Sequence, residues 1–350
     1  MQNSKLIVTF QRPFSDKFHG GSVYASFIIK ELRVRHSVEA IAPAYRPNSR
    51  STQDSSTHHF TALRYLLSSW GSFCVFTIRE MIASRLKSVE GFATIDVYSA
   101  LPPLILSRIL RKPFLYFALD DLRSVYRVPE NWRTIGGRLA KVALPRLEDL
   151  LLRLATTTYA PTTHLATAFS QRVDDPNRVQ LLLQPIDRVK VDKTLVAKWR
   201  TQLSIDGKVA AVFLGNCRTP IQMRAARFIA TTVAPFVESS NPNIVFIFVG
   251  PGTESLPTLT SNVRALGPVE DISPLLSACT FGLAPMDSPG GTSNKILYYL
   301  RHGLTVIATR EAWNNLDDSS VIITPLPDFS ATLLRMAGNT LKAATSNPQN

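Results

Sequence analysis

The sequence predicts an α/β protein of two domains, each built on a parallel sheet covered by helices. Short apolar runs of strand length alternate with longer amphipathic segments along nearly the whole chain, and this alternation is typical of parallel sheets with helical connections. The pattern starts at residue 5 and starts again at residue 209, and 350 residues are enough for two full cores. We predict domains at 1–187 and 188–328, then a C-terminal helix and tail, 329–350, that could return to the first domain.

The first half begins with a strand, a loop containing glycines and a helix. The loop carries His19, Gly20 and Gly21, and Ser22 is a suitable N-cap for the helix. His19 is either a candidate base or an ordinary loop histidine. The expected strands are 5–10, 38–42, 94–98, 113–119, 157–160 and 178–183, and the expected helices are 22–35, 61–87, 101–110, 135–154 and 163–171.

The predicted helix 61–87 has basic residues at its ends and an aromatic, apolar middle. This composition suits a helix that lies in a membrane interface or in a groove for a lipid acceptor. It suits a core helix packed on the sheet equally well, and both interpretations remain open.

Two adjacent carboxylates, Asp120 and Asp121, follow the apolar run 113–119. Such a run is typical of a central parallel strand, and the carboxyl ends of such strands face the ligand crevice of α/β folds. Burial and mutual repulsion would raise one of the two pKa values, which suits a general base. The alternative is a helix cap for the segment that starts at Leu122.

The second half repeats the alternation. Expected strands are 209–214, 244–249, 263–266, 281–285 and 305–308, with helices at 222–238, 272–278 and from 333 onward. After the fourth of these strands, Pro289, Gly290 and Gly291 form a turn that exposes backbone. Thr292 or Ser293 can cap the next helix, and Gly303 suits its C′ position.

Lys295 lies in the first turn of that helix. A helix N-terminus attracts anions, and a lysine placed against the dipole suggests a bound anion such as a diphosphate. The alternative is a lysine whose side chain points into solvent and binds no ligand.

Composition excludes several classes of protein. The three cysteines are far apart and the six histidines lack metal-ligand spacing, so we expect a reducing compartment, no disulfide framework, no protein-bound metal and no cofactor. No signal peptide is evident, and the uncharged run 65–78 is too short to span a bilayer. A nicotinamide enzyme is not expected, because the fingerprint GxGxxG is missing.

The net charge of +13 is concentrated in the first half, where residues 1–190 hold 26 Lys and Arg against 15 Asp and Glu, compared with 13 against 11 in 191–350. The positive electrostatic potential of this half favours an anionic partner. No nucleic-acid motif accompanies it, so we expect an anionic membrane surface rather than nucleic acid. We expect a cytoplasmic protein, peripheral on the inner face of the cytoplasmic membrane.

The segment 290–309 (GGTSNKILYYLRHGLTVIAT) resembles the donor site of GT-B glycosyltransferases, especially the group-1 (family 4) kind. It is also similar to the segment of xanthan-type inverting glucuronosyltransferases. The group-1 pattern often carries two glutamates where this chain has Gly290 and Tyr298. The order of elements resembles GT-B enzymes over nearly the whole chain, which implies two Rossmann-like domains facing a cleft.

The resemblance also implies roles for individual residues. The donor side would include Lys295, Gly290, Gly291, Thr292, Ser293, Asn294, Tyr298 and Gly250, with Arg218 or Arg224 on the diphosphate and Glu270 at a base or ribose contact. Gly20 and Gly21 would line the acceptor side, and Asp120 or Asp121 would be the base of an inverting enzyme.

The predicted function is therefore transfer of a sugar from a nucleotide-diphosphate sugar, with UDP as the expected nucleotide, to a hydroxyl of a lipid-linked or polysaccharide acceptor. Inverting and retaining mechanisms both remain open. The alternative is a non-catalytic GT-B-like protein that binds a nucleotide or glycan and assists a partner enzyme.

Overall fold

The computed structural model describes residues 5–10, 20–41, 88–127, 135–257, 260–288, 294–313 and 319–346. The chain divides into two compact units, Met1–Gln184 and Pro185–Asn350. Each unit is an α/β layer structure with one six-stranded parallel sheet, so the predicted fold class is confirmed.

The first unit alternates strands with helices. Its strands are β1 (Lys5–Phe10), β2 (Ser37–Ile41), β3 (Val89–Ile95), β4 (Phe114–Phe117), β5 (Thr157–Ala160) and β6 (Val179–Leu181). Its helices are α1 (Gly20–Arg35), α2 (Leu101–Ile109), α3 (Leu122–Val125), α4 (Ile135–Leu154) and α5 (Thr163–Ser170), with a 3₁₀ turn at Pro176–Arg178.

The second unit repeats this plan. Its strands are β7 (Val209–Leu214), β8 (Ile244–Val249), β9 (Val263–Gly267), β10 (Phe281–Ala284), β11 (Thr305–Ala308) and β12 (Val321–Ile323). Its helices are α6 (Lys193–Leu203), α7 (Pro220–Phe228), α8 (Ala234–Ser240), α9 (Ser273–Ser277), α10 (Asn294–Arg301) and α11 (Phe329–Ser346). A π-helical turn, Ile229–Val233, joins α7 to α8, and 3₁₀ turns lie at Thr253–Ser255 and Leu326–Asp328.

The strand orders are β2-β1-β3-β4-β5-β6 and β12-β11-β10-β7-β8-β9. Each sheet therefore has one point at which the chain reverses its direction of travel across the sheet, between β1 and β3 in the first and between β7 and β10 in the second. In α/β folds this switch point opens a crevice at the carboxyl ends of the strands, where ligands bind.

The predicted strands differ from the observed ones most at β3. The sequence predicted 94–98, whereas the strand runs from Val89 to Ile95. Asp96 has a φ of 99° and ends the strand, because a positive φ breaks extended backbone. Two elements were missed: α6, whose N-cap Asp192 accepts from the amide of Thr194, and the edge strand β12.

Two further predictions concern helices. The predicted helix 61–87 lies outside the described residues. The C-terminal helix α11 begins at Phe329, and its residues Phe329, Leu333 and Ala337 are buried in the core of the second unit. In the parts of the chain that the structure describes, no helix is long and apolar enough to cross a membrane.

The core of the second unit depends on a close approach between β10 and α10. The ring of Tyr299, on α10, is fully buried and lies where a Cβ on Gly282 would be. The tyrosine hydroxyl reaches the end of β10 and donates to the carbonyl oxygen of Leu283 at 3.3 Å. A residue larger than glycine at position 282 would displace the aromatic ring.

We therefore expect Gly282→Ala to destabilise the second unit by about 1–3 kcal/mol, the usual cost of overpacking a core. Urea unfolding followed by circular dichroism measures the loss. Gly338→Ala is the matched control, because Gly338 lies inside α11 with open space around it, and alanine there should stabilise by up to about 1 kcal/mol. Equal unfolding midpoints for Gly282→Ala and the wild type would contradict this account.

Candidate functional site

The carboxyl ends of β7 and β10 separate at the switch point of the second sheet. These strands pair only at Phe281 with Ala211 and at Gly282 with Val212. Beyond that point the Tyr299 hydroxyl replaces the hydrogen bonds between the strands, since it accepts a hydrogen bond from the amide of Leu214 at 2.7 Å. The strands thus diverge around a buried phenol, and their following loops border the crevice.

Glycines bring the loops after β7 and β8 into backbone contact. Gly250 has a φ of 126°, and a Cβ there would overlap the carbonyl oxygen of Gly215. Gly252 has a φ of 87°, and a Cβ there would lie 3.0 Å from the amide nitrogen of Arg218. Only glycine tolerates both the dihedral angle and the close approach. Gly250 thus shapes the loop that follows β7.

Lys295 lies in the first turn of α10, and its ammonium points inward below these loops. Its Nζ donates to Oε1 of Gln222 and lies 3.8 Å from the sulfur of Met286. The Phe213 ring centroid is 4.2 Å from the same nitrogen, within the range of a cation–π contact. The ammonium is therefore held by neutral groups, and no hydrogen bond or ion pair in the described residues joins it to a carboxylate.

Burial without a counter-charge lowers the pKa of Lys295 to about 7. The same desolvation raises the pKa of the nearby Cys217 thiol to about 11, which keeps that thiol neutral. An anion that bound beside Lys295 would supply the missing counter-charge. The site is thus electrostatically prepared for an anion.

The predicted arginines occupy different positions. Arg224, on α7, makes a two-point ion pair with Asp287, at 2.6 Å and 3.0 Å. Arg218 is exposed in the loop after β7, where its amide donates to Oδ1 of Asn216 at 3.1 Å. Arg218 therefore has an exposed guanidinium at the crevice, whereas Arg224 already has a carboxylate partner.

Only some of the other residues predicted on the donor side lie in the described part of the chain. Residues 290–293 lie outside the described chain. Asn294 begins α10 and Tyr298 lies one turn after Lys295, half-buried against the core. Glu270 is exposed after β9, and in the described residues no hydrogen bond or ion pair joins it to Lys295.

The two predicted carboxylates of the first unit differ in their surroundings. Asp121 is the N-cap of α3: it accepts from the amide of Arg123 at 3.1 Å and from the hydroxyl of Ser124 at 2.6 Å. It also accepts from Nη1 of Arg172 at 3.0 Å. Asp120, by contrast, receives no hydrogen bond from any residue that the structure describes, and burial beside the Asp121 carboxylate raises its pKa to about 6.

Sequence reasoning missed a polar cluster at the switch point of the first sheet. Asp96, directly after β3, is buried and accepts from the amide and the hydroxyl of Ser99 at 2.9 Å and 3.0 Å. Burial raises the pKa of Tyr98, and the neighbouring Tyr126, Asp96 and Asp120 raise it further. Its hydroxyl lies 3.5 Å from that of Tyr126. A correct end for β3 would have indicated this cluster.

Most of the glycine-containing loop of the first unit lies outside the described residues. His19 lies outside the described residues, and α1 begins at Gly20 rather than at the predicted residue 22. Gly20 and Gly21 are therefore the first residues of that helix. In the described ranges, no group of three or more His, Cys, Asp or Glu side chains could hold a metal ion.

The second unit matches a family model. Residues 208–336 match the model described as "Glycosyl transferases group 1", and this range includes the Lys295 site. The match confirms the predicted enzyme class, a glycosyltransferase, over the part of the chain that it covers. A search of curated protein sequences found no significant match.

Solved structures resemble the chain over nearly its whole length. HepE of Anabaena in complex with UDP-glucose is 15% identical, with a TM-score of 0.60 over 97% of this chain and 90% of that one. WaaG, a glycosyltransferase involved in lipopolysaccharide biosynthesis, is 16% identical, with a TM-score of 0.63 over 97% and 92%. Sucrose-phosphate synthase from Thermosynechococcus elongatus is 14% identical, with a TM-score of 0.63 over 98% and 90%. At these identities the likeness establishes the fold, that of GT-B glycosyltransferases.

The Lys295 ammonium should titrate near pH 7 in the free protein, because burial lowers its pKa to about that value. Gln222→Met should lower this pKa further, since the charged form loses its hydrogen-bond acceptor. NMR of ¹³C-labelled lysine side chains measures both, with the exposed Lys198 as an internal reference. Titration of Lys295 at the ordinary pKa of a solvated lysine would show that its ammonium is solvated.

Proposed function

We propose that this protein transfers a sugar from a nucleoside-diphosphate sugar to a hydroxyl group of a lipid-linked or polysaccharide acceptor. The observation that carries the proposal is the buried Lys295 ammonium at the switch point of the second sheet, surrounded by neutral groups. A diphosphate is the counter-charge that such a cation lacks. UDP is the expected nucleotide, and the complex of HepE with UDP-glucose supports that choice.

The ammonium has two tasks in this proposal. It binds the diphosphate of the donor, and it stabilises the negative charge that develops on the leaving phosphate as the bond to the sugar breaks. The exposed guanidinium of Arg218 and the glycine backbone of the loop around Gly250 complete the phosphate site. Because Lys295 is desolvated, its charge acts on the leaving group more strongly than a solvated lysine would.

Asp120 is the proposed base of an inverting reaction. It follows β4 at the carboxyl edge of the first sheet, and its pKa of about 6 leaves it ionised and able to accept a proton at neutral pH. The resemblance of this segment to xanthan-type glucuronosyltransferases supports the same role. Asp121 is engaged as a helix cap, so it is the weaker candidate. A retaining reaction would need no such base.

A basic first half suits an acceptor at an anionic surface, so we place the protein peripherally on a membrane. The excess of Lys and Arg over Asp and Glu in residues 1–190 is the feature that supports this placement. Binding to vesicles with and without anionic lipid tests it. The non-catalytic alternative predicts nucleotide binding without turnover of any UDP-sugar.

Lys295→Met should weaken UDP binding by about 10- to 100-fold, because a hydrogen bond from a charged group contributes about 1.5–3 kcal/mol. Wild-type affinity should also fall as the pH rises above 7, since the free ammonium then loses its proton and binding must restore it. Isothermal titration calorimetry across pH 6–9 measures both effects. Lys198→Ala, an exposed lysine on α6, is the matched control. Unchanged affinity in Lys295→Met would rule out the phosphate assignment.

Asp120→Asn should lower kcat by about 10²- to 10⁴-fold, the usual contribution of general-base catalysis. UDP affinity should stay at the wild-type value, because the change lies in the first unit. Asp121→Asn should instead lower stability through the lost ion pair with Arg172, by about 1–3 kcal/mol, since asparagine still caps the helix. Steady-state rates of UDP release separate the two variants. Wild-type turnover in Asp120→Asn would favour a mechanism without this base.

A further inference from the structure

A buried ion cluster stands directly behind the Asp120–Asp121 turn. Its centre is Arg172, which follows α5 and whose side chain is only 9% exposed. The guanidinium donates to Asp121 at 3.0 Å, to Glu148 at 2.7 Å and to Asp149 at 2.6 Å. It also lies over the Phe169 ring, 5.3 Å from the centroid. Four contacts in different directions leave the guanidinium one orientation.

The cluster holds the turn at two successive residues. Arg172 binds the carboxylate of Asp121, while Oε1 of the fully buried Glu148 accepts from the amide of Leu122 at 3.2 Å. On the other side of Asp120, the amide of Ala118 donates to the carbonyl oxygen of Tyr159 on β5 at 3.0 Å. Asp120 is therefore fixed between a sheet hydrogen bond and an ion cluster, although neither contacts its own carboxylate.

Burial raises the pKa of Glu148 to about 7, although Arg172 lowers it, so near neutral pH the charges of the cluster nearly cancel. Three carboxylates, Asp121, Glu148 and Asp149, face Arg172, and Arg123 adds a second cation through its 2.6 Å bond to Asp149. Burial and the Asp121 carboxylate raise the pKa of Asp120, so we expect the cluster to act on that pKa through the position and charge of Asp121. In the described residues, further ionisable groups near the turn are Asp96, after β3, and the tyrosines Tyr98, Tyr116 and Tyr126, which stay neutral because burial raises their pKa values.

We propose that Arg172 and its carboxylate partners Glu148 and Asp149 are positioning residues that hold Asp120 in place and set its basicity. The proposal rests on the assignment of Asp120 as the base. Arg172 orients the turn through Asp121, and the carboxylates offset the charge of the guanidinium. None of these three residues needs to touch a substrate.

The test uses the full-length protein and the pH dependence of kcat/KM with UDP-sugar and acceptor, whose acid limb reports the base of the free enzyme. Arg172→Gln removes a positive charge, so the acid limb should move to higher pH. Asp149→Asn removes a negative charge, so the limb should move to lower pH. Arg172→Lys restores the charge and should return the limb toward its wild-type position, with a lower kcat because the fork of hydrogen bonds is lost.

Arg178→Gln is the matched control. Arg178 lies in the same unit and donates to the carbonyl oxygen of Arg153, outside the cluster, so its removal should leave the limb in place. Retention of UDP binding and of the circular-dichroism spectrum shows that each variant is folded. Asp149→Asn is the milder change, because that side chain is 24% exposed, and it keeps the test decisive if Arg172→Gln fails to fold.

Opposite shifts in Arg172→Gln and Asp149→Asn would support the proposal, since a purely structural cluster would lower the rate without moving the limb. Loss of activity in Asp120→Asn with no shift in either cluster variant would overturn it while leaving the base assignment intact. Full activity in Asp120→Asn would instead remove the base assignment, and the inference with it.

Discussion

The site in the second unit depends on the hydroxyl of Tyr299. It satisfies the amide of Leu214 and the carbonyl oxygen of Leu283 where the ladder between β7 and β10 stops. Leaving either group buried and unpaired would cost about 1–3 kcal/mol, so the phenol allows the strands to separate and a crevice to open. Lys295 lies one helical turn before Tyr299 on the same face of α10. The contact that opens the crevice therefore also places the cation in it.

Much of the fold could be predicted because buried parallel strands leave a local signal. The strands β7 and β8 are continuous apolar runs, and their bounds agree with the prediction, as do those of β5 and β11. β3 was placed too late, because Glu90 and Gly91 interrupt its apolar pattern and the residue that ends it, Asp96, is abnormal only in its φ. Helix α6 was missed because its apolar stripe is narrow and mostly exposed.

Residues of the candidate site could be predicted only where their position relative to a predicted strand or helix indicated a role. Lys295 was found because it lies in the first turn of a predicted helix, and the Asp120–Asp121 pair because it follows an apolar run. Their partners were not: Gln222 lies 73 residues from Lys295, and Arg172 lies 51 residues from Asp121. Such pairs depend on how helices pack over the sheet, and no local spacing records that packing.

Desolvation acts on both candidate groups, on a cation at Lys295 and on an anion at Asp120. Burial among neutral groups makes the Lys295 cation costly, and burial beside Asp121 makes the Asp120 anion costly, so both pKa values move toward neutrality. In the proposed reaction each charge is relieved by a reactant, by a diphosphate at Lys295 and by a transferred proton at Asp120. A fully solvated or fully ion-paired group would gain far less from either event. Desolvation in the free protein therefore makes both groups responsive to the reaction proposed for them.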